Sequence, residues 1–300
     1  MLKELIISIR PKQWYKNFVI FVCIIFSLNF FNFTMWRDLI FAFVIFCMLS
    51  GSEYIVNDIL DLEKDKKHPR KRKRPIASGK LSVYHGLAFA VLLDIGALIG
   101  AYFINIPFLL LSLLYLFLLL FYSLYLKHFL FVDILVISLG FVIRAVAGCL
   151  VITVVISPWL IICAFLIALF LALGKRRHEL VLLGDKAKKH RKILSGYSIQ
   201  MLDQMISIIT ASLIMSYSLY TFLYTNPNLE GTPFMMLTIP FVIYGLFRYQ
   251  FLIHSANLGG EPEMLFKDKG MLINMALWTL LVVLILLGFP EMVIKFVEGL

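Results

Sequence analysis

The chain has 300 residues, of which 61% are hydrophobic and only 15% are charged, and its mean hydropathy is +0.91. This composition excludes an ordinary soluble domain, because apolar segments long enough to cross a hydrocarbon core of ~30 Å recur along the whole sequence. The formal net charge of +10 does not indicate nucleic-acid binding, because the basic residues are concentrated in a few loops between the apolar segments.

The apolar pattern predicts an all-α polytopic membrane protein, with one integral-membrane domain over residues 1–300. In membrane helices every backbone hydrogen bond is made inside the segment, so helices suit these runs. The nine predicted spans are 17–35, 38–58, 82–104, 107–126, 130–152, 157–174, 204–225, 233–252 and 271–289. The four cysteines lie inside apolar runs without metal-type spacing and are interpreted as small core residues.

The distribution of basic residues predicts the orientation of the chain. All but three of the 28 Lys and Arg residues, namely Arg37, Arg144 and Lys295, fall on one side of the predicted spans. Loops rich in Lys and Arg stay in the cytoplasm. We therefore expect a multi-pass protein of the cytoplasmic membrane with a cytosolic N-terminus, a cytosolic active site and an external C-terminus.

The segment from Arg10 to Asn17 is basic and aromatic and leads into the first predicted span. Trp and Tyr with flanking cations are typical of interfacial anchoring. Lys16 and Asn17 also lie at the expected cytosolic mouth, where a contact with a phosphate group is the alternative. Both interpretations stay open.

A run of carboxylates follows the second predicted span. On a continuous helix Asp58, Asp61 and Asp65 would fall within a sector of roughly 60°. Their hard oxygen ligands suit Mg²⁺, which bridges carboxylates to substrate phosphates. The alternative is a solvated helix at the membrane surface. Because we expect the carboxylates on an exposed helix end, Asp58→Asn or Asp61→Asn should abolish turnover without unfolding the protein.

A basic run from Arg70 to Arg74 follows the carboxylates directly. Its guanidinium and ammonium groups are suited to the phosphate oxygens that a metal leaves uncovered, or to anionic lipid head groups. The other polar segments, which contain Tyr122 with Lys127 and Lys175 with Glu179, are expected on the same membrane side. Together they predict a charged cytosolic cavity above an apolar interior, which fits a lipid-tailed substrate with a phosphate head.

Three charged residues lie inside predicted spans. Glu53 and Asp94 need partners that the sequence does not name. Arg144 marks either a structural ion pair or a site for an anionic ligand. Lys175 and Glu179, four residues apart, are explained equally well by a pair on a helix surface.

The motifs resemble those of the UbiA superfamily of intramembrane prenyltransferases. Asn57-Asp58-x-x-Asp61-x-x-x-Asp65 matches the Asp-rich motif that follows the second span of that superfamily. The chain more closely resembles the decaprenyl-phosphate phosphoribosyltransferases. Their pattern is echoed in Arg10-Pro-Lys-Gln-Trp-Tyr-Lys16-Asn17, His68-Pro-Arg-Lys71-Arg72-Lys-Arg74-Pro75, Tyr122-Ser-Leu-Tyr-Leu126-Lys127, Gly174-Lys175-Arg176, Glu261-Pro-Glu263 and Asp268-Lys269.

The resemblance implies a UbiA-like bundle of nine transmembrane helices with a cytosolic active-site cavity. It also implies transfer of a 5-phosphoribosyl group from phosphoribosyl diphosphate to a polyprenyl phosphate such as decaprenyl phosphate. Asp58, Asp61 and Asp65 would hold Mg²⁺, with Mn²⁺ as an alternative, and would be catalytic together with Lys127. The implied substrate-binding residues are Lys16, Asn17, Asn57, Lys71, Arg72, Arg74, Tyr122, Lys127, Arg144, Lys175, Arg176 and Glu179.

The chain departs from the ordinary superfamily pattern after the sixth span. Where prenyl diphosphate enzymes carry a second Asp-rich motif, this sequence has Lys175-Arg176-Arg177-His178-Glu179. Cations in place of acids suit a donor with an extra phosphate, as phosphoribosyl diphosphate has. Two alternatives remain: prenyl transfer from a prenyl diphosphate to an aromatic or glycerol-phosphate acceptor, and a transporter. The expected partners are the two substrates and the bilayer, without nucleic acid, and self-association is left open.

Overall fold

The structure, a computed structural model, describes residues 1–69, 71–183, 192–223, 234–255 and 268–289, and every regular element in these ranges is helical. The α-helices are α1 (Leu2–Ser8), α2 (Val22–Phe26), α3 (Phe33–Leu60), α4 (Leu62–Lys67), α5 (Val83–Ile104), α6 (Ile106–Leu124), α7 (Val132–Val151), α8 (Pro158–Leu183), α9 (Ile199–Leu223), α10 (Ile239–Ser255) and α11 (Lys269–Leu286). Short 3₁₀ helices cover Pro11–Phe21, Lys71–Lys73, Leu126–His128, Lys192–Gly196 and Phe234–Thr238.

Within the described ranges, eight helical segments are long and apolar enough to cross a membrane. They are Phe33–Leu60, Val83–Ile104, Ile106–Leu124, Val132–Val151, Pro158–Leu182, Ile199–Leu223, Phe234–His254 and Lys269–Leu286. They confirm the expectation of an integral, all-α membrane protein.

The first predicted span, 17–35, is not one continuous α-helix. Pro11–Phe21 is a 3₁₀ helix and α2 ends at Phe26. Leu28 has a left-handed backbone (φ 59°), and the Asn29 side-chain amide donates to the Ser27 carbonyl at 2.9 Å. These local bonds compete with a helix, and the Asn32 side chain then caps the start of α3.

Polar caps set the starts of the following helices. The Ser82 hydroxyl accepts a hydrogen bond from the His85 backbone and begins α5. Asn105 ends α5 and begins α6, its side chain accepting from the Phe108 backbone at 2.8 Å. Each cap satisfies one of the backbone N–H groups that a helix leaves unpaired at its start. A turn this short makes α5 and α6 neighbours along the chain and in space.

The chain forms two compact units, Met1–Ile156 and Ser157–Leu300. The first unit contains α1 to α7 and the second contains α8 to α11. The expectation of one domain over residues 1–300 stays a prediction.

An apolar cluster supports the carboxylate end of α3 in the first unit. Leu5, Ile55, Ile76, Leu81 and Ala90 are buried together and join α1, α3, α5 and the loop before α5. Five partly buried apolar residues pack against it, of which Val56, Ile59 and Leu62 flank Asp58 and Asp61 in sequence, and the others are Ile9 and Phe89. Apolar burial therefore fixes the backbone that carries Asp58.

Candidate active site

The carboxylate motif spans a helix break. α3 ends at Leu60, and Asp61 (φ −96°, ψ 10°) lies between α3 and α4. The continuous helix on which the three carboxylates would share one sector is therefore not present. Asp58 and Asp65 each have 2% of their surface exposed, so the expectation of an exposed helix end is wrong for these two.

Arg74 joins the two buried carboxylates. Its Nη1 atom lies 3.0 Å from Asp58 Oδ1 and 2.5 Å from Asp65 Oδ2. Buried carboxylates are costly to desolvate unless they are paired and hydrogen-bonded. Arg74 therefore supplies the charge that lets Asp58 and Asp65 lie together inside the protein, and the basic run contributes to the site through this residue.

Arg10 is a second cation on Asp58 that the site prediction omitted. Its guanidinium donates to Asp58 Oδ1 and lies over the Tyr54 ring, 4.8 Å from the centroid. Burial lowers the pKa of Arg10 from its ordinary value, while the attraction of Asp58 acts in the opposite direction.

Arg10 also has an unusual backbone. It is left-handed (φ 50°, ψ 65°), a conformation that costs a non-Gly residue on the order of 1–3 kcal/mol. Pro11 follows it and disfavours the α-helical region for the residue before it. The Arg-Pro dipeptide was therefore the sequence feature from which a non-helical backbone at Arg10 could have been predicted.

Lys127 binds the third carboxylate. Its Nζ atom lies 3.0 Å from both Asp61 oxygens and 3.3 Å from Asn57 Oδ1. Lys127 is 8% exposed and lies in the short 3₁₀ helix after α6. The more distant and exposed Lys64, 3.8 Å from Asp61, is worth little by comparison. The structure thus brings together Asn57, Asp61 and Lys127, which the sequence analysis named separately.

The remaining predicted residues of the first unit do not all contact this cluster. Lys71 and Arg72 are exposed, and the backbone N–H of Lys71 donates to His68 Nδ1 at 3.2 Å. Tyr122 is half-buried in the last turns of α6. Lys16 is half-buried, with its ammonium 6.0 Å from the Tyr15 ring centroid. Their roles toward a substrate stay predictions.

Asn17 lies in the interior of the first unit and binds Arg144. Its Oδ1 atom accepts from Arg144 Nε at 2.7 Å, and its amide points at Cys47 Sγ and Ser50 Oγ. Arg144 also donates to the Gly140 carbonyl at 2.8 Å and to the Tyr115 hydroxyl. Its described hydrogen-bond partners are therefore neutral, and the contacts favour a structural link over the ion pair considered from sequence.

Glu53 and Asp94 lie at the contact between α3 and α5. Ser52 hydrogen-bonds Asp94, and its hydroxyl also lies 2.9 Å from the Leu49 carbonyl. Glu53 is 8% exposed, and its Oε2 atom has no hydrogen-bond partner among the described residues. The structure thus gives Asp94 the partner that the sequence could not name.

The second unit holds the predicted cations of α8. Lys175 is exposed, whereas Arg176 is 3% exposed and donates to Glu179 Oε2 at 2.8 Å. Arg177 donates to Asp203 of α9 at 2.5 Å, which sequence reasoning missed. Asp203 has no motif around it, so only the fold reveals this pair. Glu261 and Glu263 lie outside the described residues.

The carboxylate cluster is the candidate site for a divalent cation in the described residues of the first unit. Among the described residues no group of three His, Cys, Asp or Glu side chains lies close enough to hold a metal ion. Asp58 and Asp65 nevertheless present two buried carboxylate oxygens to one common point, which Arg74 Nη1 occupies. Carboxylate oxygens that surround one cation are the type of ligand that Mg²⁺ prefers, so the donor atoms fit this ion. Asp61 is turned to Lys127 instead.

Comparison with known proteins places the fold and the motifs in one family. The sequence pattern of the UbiA prenyltransferase family matches residues 18–267. The chain belongs to this family. The match covers the carboxylate motif, Arg74 and Lys127, whereas Arg10 precedes it.

Two curated relatives extend the likeness to almost the whole chain. The decaprenyl-phosphate phosphoribosyltransferase of Corynebacterium glutamicum is 31% identical over 290 residues, which cover 94% of this chain and 86% of the relative. That of Mycobacterium tuberculosis is 32% identical over 260 residues, which cover 85% of each chain.

Solved structures confirm the fold of this UbiA family member. A UbiA homolog from Archaeoglobus fulgidus, solved bound to DMAPP and Mg²⁺, superposes with a TM-score of 0.72 at 16% identity. The superposition covers 94% of this chain and 99% of that chain. At this identity the likeness supports the helical architecture alone.

Proposed function

We propose that this protein transfers a 5-phosphoribosyl group from phosphoribosyl diphosphate to a polyprenyl phosphate such as decaprenyl phosphate, releasing diphosphate. The observation that carries the proposal is the 31% identity to a decaprenyl-phosphate phosphoribosyltransferase over 94% of the chain. The reaction joins two anions, because the acceptor phosphate oxygen bonds to ribose C1 as the bond from C1 to diphosphate breaks. The active site for this reaction must therefore hold the acceptor phosphate close to the diphosphate of the donor although both are negatively charged.

The cations of the first unit are suited to that task. Arg10, Arg74 and Lys127 lie in one cluster with the carboxylates, and the two guanidinium groups carry more N–H donors than their bonds to the carboxylates use. Charge-assisted hydrogen bonds of this kind offset the repulsion between donor and acceptor and fix their approach. The acceptor phosphate is already an anion, so no general base is required.

Mg²⁺ held by Asp58 and Asp65, with Asp61 beside them, would offset the charge that develops on the departing diphosphate. Mn²⁺ is the alternative ion. The carboxylates of this chain supply the hard oxygen donors, and Lys127 fixes the orientation of Asp61. The Mg²⁺ in the Archaeoglobus fulgidus structure supports a divalent ion for this family.

Lys175 is our candidate for the 5-phosphate of the donor. Its ammonium group is exposed on α8, whereas Arg176 is buried against Glu179. We therefore give Arg176 and Glu179 a positioning role on α8. This refines the expectation that all three bind substrate directly.

The protein is proposed to lie in the cytoplasmic membrane with its N-terminus and the carboxylate cluster in the cytosol. All but three of its 28 Lys and Arg residues support this orientation. Phosphoribosyl diphosphate is a soluble, highly charged donor, and a cytosolic site gives it access.

One experiment tests the transfer reaction. Purified protein is incubated with Mg²⁺, phosphoribosyl diphosphate labelled in the ribose, and a panel of polyprenyl phosphates. Label should move into the organic phase only when a polyprenyl phosphate is present. Label that stays in water with every lipid, while a prenyl diphosphate is consumed with an aromatic acceptor, would replace the proposal with prenyl transfer.

A further inference from the structure

Arg74 occupies the point at which Asp58 and Asp65 would share a cation. Its Nη1 atom lies 3.0 Å and 2.5 Å from one oxygen of each carboxylate. Mg²⁺ requires carboxylate oxygens at about 2.0–2.1 Å. A cation held by Asp58 and Asp65 would need the carboxylate oxygens that Arg74 binds. The ion and the guanidinium group would therefore compete for the same oxygens.

The charges of the cluster are already balanced. Asp58, Asp61 and Asp65 bind Arg10, Arg74 and Lys127 at 3.0 Å or less, which pairs three carboxylates with three close cations, while the exposed Lys64 lies 3.8 Å from Asp61. Asp58, Asp65 and Lys127 are each less than a tenth exposed, so solvent screens this balance weakly. A divalent ion that arrives alone adds two positive charges next to the cations. A diphosphate that arrives alone meets the carboxylates.

We propose that Arg74, with Arg10, acts as a built-in substitute for the metal, so that the ion and the diphosphate bind as one coupled pair. Asp58 and Asp65 would hold the ion, and the guanidinium groups of Arg74 and Arg10 would turn to the phosphate oxygens. The charges that each ligand adds are offset by the other. We take the diphosphate donor from the proposed function, while the coupling itself is a property of the cluster and needs no turnover.

Arg10 is suited to such an exchange. Its guanidinium binds the same Asp58 oxygen as Arg74 and also rests over the Tyr54 ring. The ring contact remains when the carboxylate is released, so the side chain does not have to leave the site. Arg10 and Arg74 are about a quarter exposed, which leaves a path for their N–H groups toward an incoming anion.

Mn²⁺ binding to the full chain in detergent, followed by electron paramagnetic resonance, tests the coupling. Titrations are made with and without inorganic diphosphate for wild type, Arg74→Gln, Arg10→Gln and Lys80→Gln. Lys80 is an exposed cation of the loop before α5, outside the basic run, and serves as the matched control. Diphosphate should tighten Mn²⁺ binding to wild type by roughly 5- to 150-fold, the usual range for coupled ligands.

Arg74→Gln should bind Mn²⁺ without diphosphate about tenfold more tightly than wild type and lose most of the coupling. Arg10→Gln should change in the same direction, and Lys80→Gln should match wild type. If Arg74→Gln is unstable, Mn²⁺ alone should raise its Tm by more than it raises that of wild type. Equal Mn²⁺ affinities without diphosphate in all four proteins, or equal Tm shifts, would overturn the inference. Intact coupling without phosphoribosyl transfer would overturn the proposed function only.

Discussion

The ammonium nitrogen of Lys127 lies 3.0 Å from both carboxylate oxygens of Asp61. The two residues belong to different helices, and their contact ties the end of α6 to the break between α3 and α4. Neither side chain is more than a fifth exposed, so the pair is only partly screened by water.

We expect Lys127→Met and Asp61→Asn each to lower stability, because each leaves the other partner with an uncompensated charge. The double variant should recover part of the loss, with a coupling energy of about 0.5–3 kcal/mol. Denaturant or thermal unfolding of the four proteins in detergent measures it. Additive losses would mean that the contact contributes nothing to stability, and Lys127 would then serve substrate alone.

Asp58→Asn should abolish turnover and also lower the Tm. The carboxylate is 2% exposed and offsets two guanidinium groups, so its removal leaves Arg10 and Arg74 with reduced compensation. Glu63→Gln is the control, because this carboxylate is exposed on α4 and pairs with Lys66 at the surface. Turnover and Tm of the control should match wild type. Near-normal activity of Asp58→Asn at limiting Mg²⁺ would remove Asp58 from the metal site.

The sequence predicted the members of the charged cluster better than it predicted which cation binds which carboxylate. The spacing of Asp58, Asp61 and Asp65 and the adjacent basic run were sufficient to predict that these carboxylates lie beside basic residues, as the structure shows. Arg74 binds Asp58 and Asp65, whereas Lys127 binds Asp61, because the helix breaks at Asp61. No residue type in this segment predicts that break. Interactions between distant segments set it.

Other parts of the fold depend on local side-chain and backbone contacts that compete with helix formation, and the hydropathy pattern does not contain this information. The predicted first span fails because Asn29 and a left-handed Leu28 end the helix early. The partner of Arg144 could not be predicted, because Asn17 reads as an interfacial residue and is in fact buried. Hydropathy predicts which segments enter the membrane better than it predicts which polar groups meet there.

Single cysteines introduced at exposed positions should report the topology. Lys73→Cys lies beside the carboxylate cluster and should resist a membrane-impermeant maleimide in intact cells until the cells are permeabilised. Phe31→Cys precedes the opposite end of α3 and should react in intact cells. Three of the four native cysteines are buried, which limits the background signal. The reverse pattern would place the cluster, and the donor, outside.

Arg144→Lys should lower stability with little effect on the KM for polyprenyl phosphate. Lysine keeps the charge, but its N–H donors all lie on one nitrogen, whereas Asn17, Gly140 and Tyr115 are bound by three different nitrogens of the planar guanidinium group. Buried acceptors left without a donor cost about 1–3 kcal/mol. Thermal unfolding and lipid-dependent kinetics of the same preparation decide the matter. An unchanged Tm with a raised KM would make Arg144 a substrate-binding residue, as the sequence analysis proposed.

Substitutions of Lys175 and of Arg176 should differ in how their effect on kcat/KM depends on the donor. If Lys175 binds the 5-phosphate, Lys175→Ala should lower kcat/KM for phosphoribosyl diphosphate by about ten- to a hundredfold, the value of a charge-assisted contact of ~1.5–3 kcal/mol. The loss should shrink with a ribose diphosphate analogue that lacks the 5-phosphate, because wild type cannot use the contact there either. Arg176→Ala should cost the same with both donors, since it frees Glu179 on α8 rather than a phosphate. An equal loss for Lys175→Ala with both donors would mean that this cation binds the diphosphate or pairs within the helix. The extra phosphate of the donor would then not explain why this chain has cations where prenyl diphosphate enzymes carry a second Asp-rich motif.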